Sequence, residues 1–320
     1  MGWRSVVIGN PAQLDLHQRA LRVLQDGNTA HVPLEDVSVL LIEHSQVTLT
    51  SALLSALADA QVLLLTIGAD HHPNGMLLPY LPHSRALKVM RAQLDVSQPK
   101  KKRLWQTIIQ QKIRNQAAAL MQNTSADRDI RSLLALADDV RSGDPDNLEG
   151  QAAQRYFRAL WGEGFTRNQP RFINAALNYG YAIIRAAIAR SLVVYGFLPA
   201  FGIHHRSEQN AFNLADDLIE PYRPLVDVHI FKHWPLEPER ELSPKDKQLL
   251  IGLLHRDITT NTARQTLLAA VDANVISLIQ WQETTSPAIF VMPVLTDQLT
   301  HLEDSDGQNH PPLYASDRFL

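Results

Sequence analysis

Short apolar runs broken by turn residues mark the first quarter of the chain, and helical spacing marks most of the rest. Residues 5–8, 30–32, 37–43 and 62–68 are apolar or alternating stretches bounded by Gly, Pro, Asn or Asp, and each predicts a β-strand. Residues 51–60 carry apolar side chains at helical spacing and predict one intervening helix. A small sandwich with a single helix is the closure that buries such strands. His71 and His72 adjoin Pro73-Asn74-Gly75, which reads as a surface turn without chemistry.

Near His83 and Ser84 the period changes. Residues 85–94, 101–123 and 131–141 predict amphipathic helices, with apolar residues three and four apart. Asp144 as N-cap and Pro145 at the first helical position predict another start, with Glu149 about one turn in and Gly150 leaving room beside it. Residues 172–195 predict a long apolar helix on which Asn174, Asn178 and Tyr181 line one face. A polar stripe on a buried helix must find partners. Residues 243–254 and 262–282 predict further helices, the first capped at Ser243-Pro244. From about Gln298 the chain is polar and weakly patterned, which predicts a disordered tail. The expected fold class is α+β: a small β-sandwich-like part over 1–83 with one helix, a larger all-α part over 84–297, and the tail over 298–320.

Composition narrows the chemistry. With 45% hydrophobic and 20% charged residues in 320, the chain reads as an ordinary globular protein. It has no cysteine, which excludes disulfides, zinc-thiolate sites and Cys nucleophiles. The longest apolar run, 181–198, is interrupted by Arg185 and Arg190, so no membrane span is expected. MGWRSVVIGN enters a strand-like run without a signal-peptide pattern, and a cytoplasmic location is the expectation. The net charge of -3 hides a segregation. Between Arg85 and Arg114 nine Lys and Arg stand against one acid, Asp95. Lys100, Lys101, Lys102 and Arg103 open a helix there, against its macrodipole, and phosphates that neutralise them would explain the arrangement.

The densest chemistry lies in FLPAFGIHHRSEQNAFNLADDLIEPYRPLVD, between Phe197 and Asp227. His204 and His205 end an apolar, Gly-punctuated loop, and Asp216, Asp217 and Glu220 follow on a helix. At spacings of three and four these carboxylates can share one helical face. So close together they repel unless solvated, paired or bridged by a cation, and a divalent metal is the first expectation. A solvated acidic face is the commoner fate of such residues. Two details favour a site. Pro221 disfavours the α-region for Glu220, putting that carboxylate at a break between helices. The apolar approach to His204 predicts a held imidazole rather than one waving in water.

Three segments together resemble one family: NLEG at 147–150, NAALNYGYA at 174–182, and GIHH followed by NLADDLIEPYRPLVD. The chain resembles the CRISPR-adaptation integrases, the larger of the two core proteins that insert new spacers into CRISPR arrays, in the wording of their type II versions. The resemblance spans essentially the whole chain. It implies a divalent-metal site holding Mg²⁺ or Mn²⁺ on a Glu, a His and a second acid, which Glu149, His205 and Glu220 match by position. It further implies Asp217 as a supporting or second-metal ligand, His204 as the less favoured neighbour of His205, and Tyr181 and Asn178 as lining residues. The implied partners are double-stranded DNA (spacer precursor and repeat), a second copy of the chain joined through the β-rich parts, and a small ferredoxin-like protein. Lys100, Lys101, Lys102 and Arg103 would lie on DNA backbone. The implied reaction is attack of a DNA 3′-hydroxyl on a phosphodiester, needing no ATP site, and no GxxxxGK[ST] motif occurs. Two readings stay beside it: a structure-specific metal-dependent nuclease acting on branched DNA, and a non-catalytic DNA-binding scaffold whose acids and His form a polar core network.

Overall fold

The computed structural model describes residues 2–68, 73–80, 84–237, 240–284, 289–296 and 313–314. The front of the chain forms β1 (Arg4–Ile8), β2 (Ala12–His17), β3 (Ala20–Gln25), β4 (Asn28–Pro33), β5 (Val37–Ile42), β6 (Val47–Leu49), α1 (Ser51–Asp59), β7 (Leu63–Ile67) and β8 (Pro73–Met76). One sheet runs β1-β5-β7-β8: β1, β5 and β7 are parallel, with Val6 opposite Leu40 and Leu40 opposite Leu64, and β8 is antiparallel to β7. The other runs β4-β3-β2-β6. Its two hairpins close through Gln18-Arg19 and Asp26-Gly27, all at positive φ, the backbone twist that two-residue hairpin loops favour.

Alternation along the first sheet divides its side chains between two cores. Val6, Ile8, Leu40, Ile42 and Leu64 join Leu14, Leu21, Val23, Leu53 and Leu57 of the second sheet and α1. Val7, Val39, Leu41, Leu63 and Leu65 join the core of the helical part instead. Burial on both faces makes these strands near-continuous apolar runs. The second sheet is covered on one face, and β3 alternates half-buried and buried positions along its length. Pro73-Asn74-Gly75 belongs to β8 and is not a turn: Thr66 Oγ1 donates to Asn74 Oδ1 at 2.9 Å across the pair. His71, His72 and His83 lie outside the described residues.

The helical part contains α2 (Ala86–Asp95), α3 (Gln98–Asn123), α4 (Asp127–Asp139), α5 (Leu148–Trp161), α6 (Phe172–Val194), α7 (Asn213–Leu218), α8 (Arg223–His233) and α9 (Pro244–Gly252). The Ser243 hydroxyl and Asp246 form the capping box of α9. The expectation of an all-α part is corrected by a hairpin, β9 (Asp257–Thr259) and β10 (Arg264–Thr266), ahead of α10 (Leu267–Glu283). Residues 262–266 leave the helix because the Thr260 hydroxyl accepts from the N–H groups of Thr262 and Ala263 and ties the turn. Thr266 then caps α10. In the tail, β11 (Leu313–Tyr314) pairs parallel with β1, so disorder does not hold at those two positions; the remainder falls outside the described residues.

Polar contacts join the front sheet to the helical part: Lys247 Nζ lies 3.4 Å from Glu43 Oε1, and Ser5 Oγ 2.6 Å from His255 Nε2. Among the described residues no helix is long and apolar enough to cross a membrane.

Candidate active site

Helix α3 is the spine of the site. Leu104, Ile108, Ile109, Ile113 and Leu120 form its buried stripe, and Lys112, Asn115 and Gln116 interrupt that stripe while still buried. Lys112 Nζ donates to Glu149 Oε1 at 2.6 Å and lies 2.5 Å from Glu220 Oε2. On the far side, Arg223 Nε donates to Glu220 Oε1 at 2.9 Å. A single buried ammonium thus bridges two carboxylates from distant segments. Burial works to lower the Lys112 pKa, but Glu220 and Glu149 outweigh it and raise it. Burial likewise pushes Glu220 up, and Arg223 and Lys112 overcome it, bringing the carboxyl down to about 2. Removing either partner of such a pair leaves a buried charge uncompensated, at a cost of several kcal/mol.

Glu149 is set by the start of α5, which differs from the expected one. Asn147, in the left-handed region at φ 51°, is the N-cap and accepts from Gly150 N; Asp144 reaches over from further back to accept from the N–H groups of Leu148 and Glu149. The helix therefore begins at Leu148, with Asp144 and Pro145 outside it. Gly150 is required by this cap: a Cβ there would lie 2.8 Å from Asn147 Nδ2. Glu220 sits where Pro221 predicts, in the 3-10 turn Glu220–Tyr222 between α7 and α8. Asn115 fixes that turn by donating to the carbonyls of Pro221 and Pro293 at 2.8 and 3.0 Å.

The three acids of the NLADDLIE segment do not share a face. Asp216 pairs with Arg185 at 2.5 Å and accepts from Asn210. Asp217, fully buried, accepts from the backbone N–H groups of Ile203, His204 and His205, and its Oδ1 lies 2.7 Å from His205 Nδ1. Only Glu220 turns toward Lys112. Each acid follows its own donors, and the helix ends at Leu218 before the periodicity can align them. Gly202 permits the loop to close, since a Cβ there would stand 2.5 Å from the His205 carbonyl oxygen and 2.7 Å from Asp217 Oδ2. The hydrogen bond to Asp217 raises the His205 pKa against burial. His204 stacks on Trp105 with ring centres 4.2 Å apart, and burial lowers its pKa.

Beside the carboxylates opens a cavity of about 260 Å³, lined by Lys112, Glu149, Glu220, Arg167, Tyr181 and Arg223, among others. The polar stripe of α6 meets one missed residue, Arg167, whose guanidinium donates to Asn174 Oδ1 at 2.8 Å and Asn178 Oδ1 at 2.7 Å. Arg167 and Arg223 both lie against the Tyr181 ring, 5.4 and 4.6 Å from its centre. The Tyr181 hydroxyl donates to Asp227, a buried acid whose carboxyl is pushed up to about 6 by burial. His204 and His205 stand outside the cavity lining.

The basic stretch divides. Lys100 Nζ donates to the carbonyls of Gln282 and Thr284 and lies over the Trp281 ring, so it serves the C-terminal end of α10. Lys101 is half-buried, and Lys102 and Arg103 are exposed.

Does this donor set suit a divalent ion? Two carboxylates and an imidazole are the ligand types of Mg²⁺ and Mn²⁺ sites. Glu220 Oε2 is buried with Lys112 Nζ 2.5 Å away, and Asp217 holds His205 by Nδ1, which leaves Nε2 for a ligand. Among the described residues, no three acids or imidazoles are gathered closely enough to hold a metal, and Lys112 stands between the two carboxylates. The donors fit by type, and an ammonium stands between two of them.

The fold and site define an α+β protein with a strand-built front and a helical body that gathers paired carboxylates and cations around one cavity. The sequence profile of CRISPR associated protein Cas1 matches residues 6–237. The chain is 48% identical over 280 residues to the CRISPR-associated endonuclease Cas1 of Neisseria meningitidis serogroup C (strain 8013), covering 87% of this chain and 91% of that one. The chain belongs to the Cas1 family. Among solved structures, a casposase bound to integration product matches with a TM-score of 0.73 at 17% identity, covering 88% of this chain and 91% of the other. A Cas6-RT-Cas1–Cas2 complex matches with a TM-score of 0.69 at 18% identity, covering 90% of this chain and 36% of the other. At these identities the likeness is one of fold.

Proposed function

We propose that this chain is a divalent-metal-dependent DNA integrase that inserts new spacer DNA into a CRISPR array through attack of a DNA 3′-hydroxyl on a phosphodiester. One observation carries the reading: Glu149 from α5 and Glu220 from the turn before α8 converge on a single cationic position at the wall of a cavity that also presents Arg167 and Arg223. Glu149, Glu220 and His205 would hold Mg²⁺ or Mn²⁺, which when bound supplies Lewis acidity at the phosphate and acidifies the attacking hydroxyl.

The chain's own residues do the rest. Arg223 keeps Glu220 ionised, and Asp217 fixes the tautomer and orientation of the His205 ring. Arg167 and Arg223 present guanidinium groups suited to phosphate oxygens. Tyr181, held between these cations and Asp227, shapes the wall. Exchange of one phosphodiester for another is near balance in energy, so the reaction needs no nucleotide hydrolysis.

The Neisseria relative is named an endonuclease, which supports hydrolysis at the same site when water replaces the 3′-hydroxyl. Double-stranded DNA, a second copy joined through the strand-built front, and a small ferredoxin-like protein complete the proposed assembly. Incubating a short 3′-hydroxyl duplex with a supercoiled repeat-bearing plasmid separates the activities. Joined strands mean integration; shortened strands alone mean hydrolysis.

A further inference from the structure

The geometry points to Lys112 as the resident counter-ion of the proposed metal site, an ammonium that holds Glu149 and Glu220 together and that a divalent ion displaces on binding. The inference rests on the metal-site reading given above and adds to it a competitor encoded in the chain.

Three observations carry it. Lys112 stands on the apolar stripe of α3, where a solvated lysine has no place: its side chain is 9% exposed. Its Nζ lies within 2.6 Å of an oxygen of each carboxylate, so nothing else of positive charge can approach both oxygens while it remains. Arg223 already holds the other oxygen of Glu220 from the far side, so the Lys112 ammonium is the cation that joins Glu220 to Glu149. An ammonium on four methylenes can swing away where a fixed guanidinium such as Arg223 cannot easily do so. The adjoining cavity gives it room to move.

The position has two consequences. Without metal, Lys112 offsets the mutual repulsion of two carboxylates held side by side. With metal, the ion must first displace the ammonium, so Lys112 weakens binding. Released into the cavity, its charge faces the place where a phosphate would lie.

Isothermal titration calorimetry of Mn²⁺ into the full chain tests the competition. Lys112→Met should bind Mn²⁺ at least about tenfold more tightly than wild type, with a lower melting temperature in EDTA and a larger rise on adding Mn²⁺. Equal or weaker binding by Lys112→Met, with wild type binding, overturns the inference and leaves the metal-site reading standing. Absence of binding in both proteins overturns both. Should Lys112→Met fail to fold, amine acylation of wild type followed by mass spectrometry decides. Faster labelling of Lys112 in Mg²⁺ than in EDTA supports displacement, and unchanged labelling contradicts it.

Discussion

Asp217 and His205 are joined twice: Asp217 Oδ1 accepts from the His205 backbone N–H at 3.0 Å and lies 2.7 Å from the His205 ring Nδ1. One buried carboxylate therefore fixes both the backbone and the ring of the residue whose other nitrogen would face the metal. Asp217→Asn should cost about 2–4 kcal/mol, because an amide nitrogen would turn toward N–H donors that now share two acceptor oxygens. Urea unfolding checks this. Stability equal to wild type would mean that Asp217 does not brace the loop.

The basic segment predicts two different phenotypes. Lys102→Gln with Arg103→Gln should weaken DNA binding and lower the slope of log affinity against log salt by about 1–2. Lys100→Gln should leave that slope unchanged and lower the melting temperature, since Lys100 is spent on the end of α10. A salt titration with all three proteins distinguishes them. Equal slopes throughout would remove this segment from the DNA surface.

Burial brings the His255 imidazole down to about 4, below its usual 6.5. The folded chain then binds fewer protons here than the unfolded chain between those values. The contribution of His255 is full above pH 6.5 and is lost as pH falls through 4. Asp227 acts with the opposite sign, because burial raises it from 3.8 to about 6 and stability falls as pH rises through that window. His255→Asn should therefore flatten the rise of stability with pH between 4 and 6.5, by up to about 3 kcal/mol. Asp227→Asn should steepen it. Denaturant titrations at four pH values read both effects, and parallel curves for wild type and His255→Asn would contradict the first.

Much of this was legible from pattern alone. Four strands, α1, the long α6 and the break at Pro221 follow from apolar runs, helical spacing and proline chemistry. The hairpin of β2 and β3 was not, because Gln18 and Arg19 adopt positive φ without the usual turn residues. Asp26-Gly27, by contrast, is a turn signal that can be read directly. Asp216 and Asp217 look equivalent by spacing, and only tertiary donors separate one from the other. Lys112 carried a signal: a lysine four residues from both Ile108 and Gln116, on the apolar stripe of a helix, is a charge in want of a partner. Arg167 carried none, since its role depends on a loop folding back onto α6.

The most direct test of the central claim is strand transfer of a 3′-hydroxyl duplex into a repeat-bearing plasmid. Wild type, Glu149→Ala and Glu220→Ala would be compared in Mg²⁺, in Mn²⁺ and in EDTA, with the small partner present. Wild type should give joined product in either metal and none in EDTA, and each variant should lose at least about a hundredfold. Joined product that persists in EDTA, or in both variants, would mean that the carboxylates bridged by Lys112 form a structural network and not a catalytic centre.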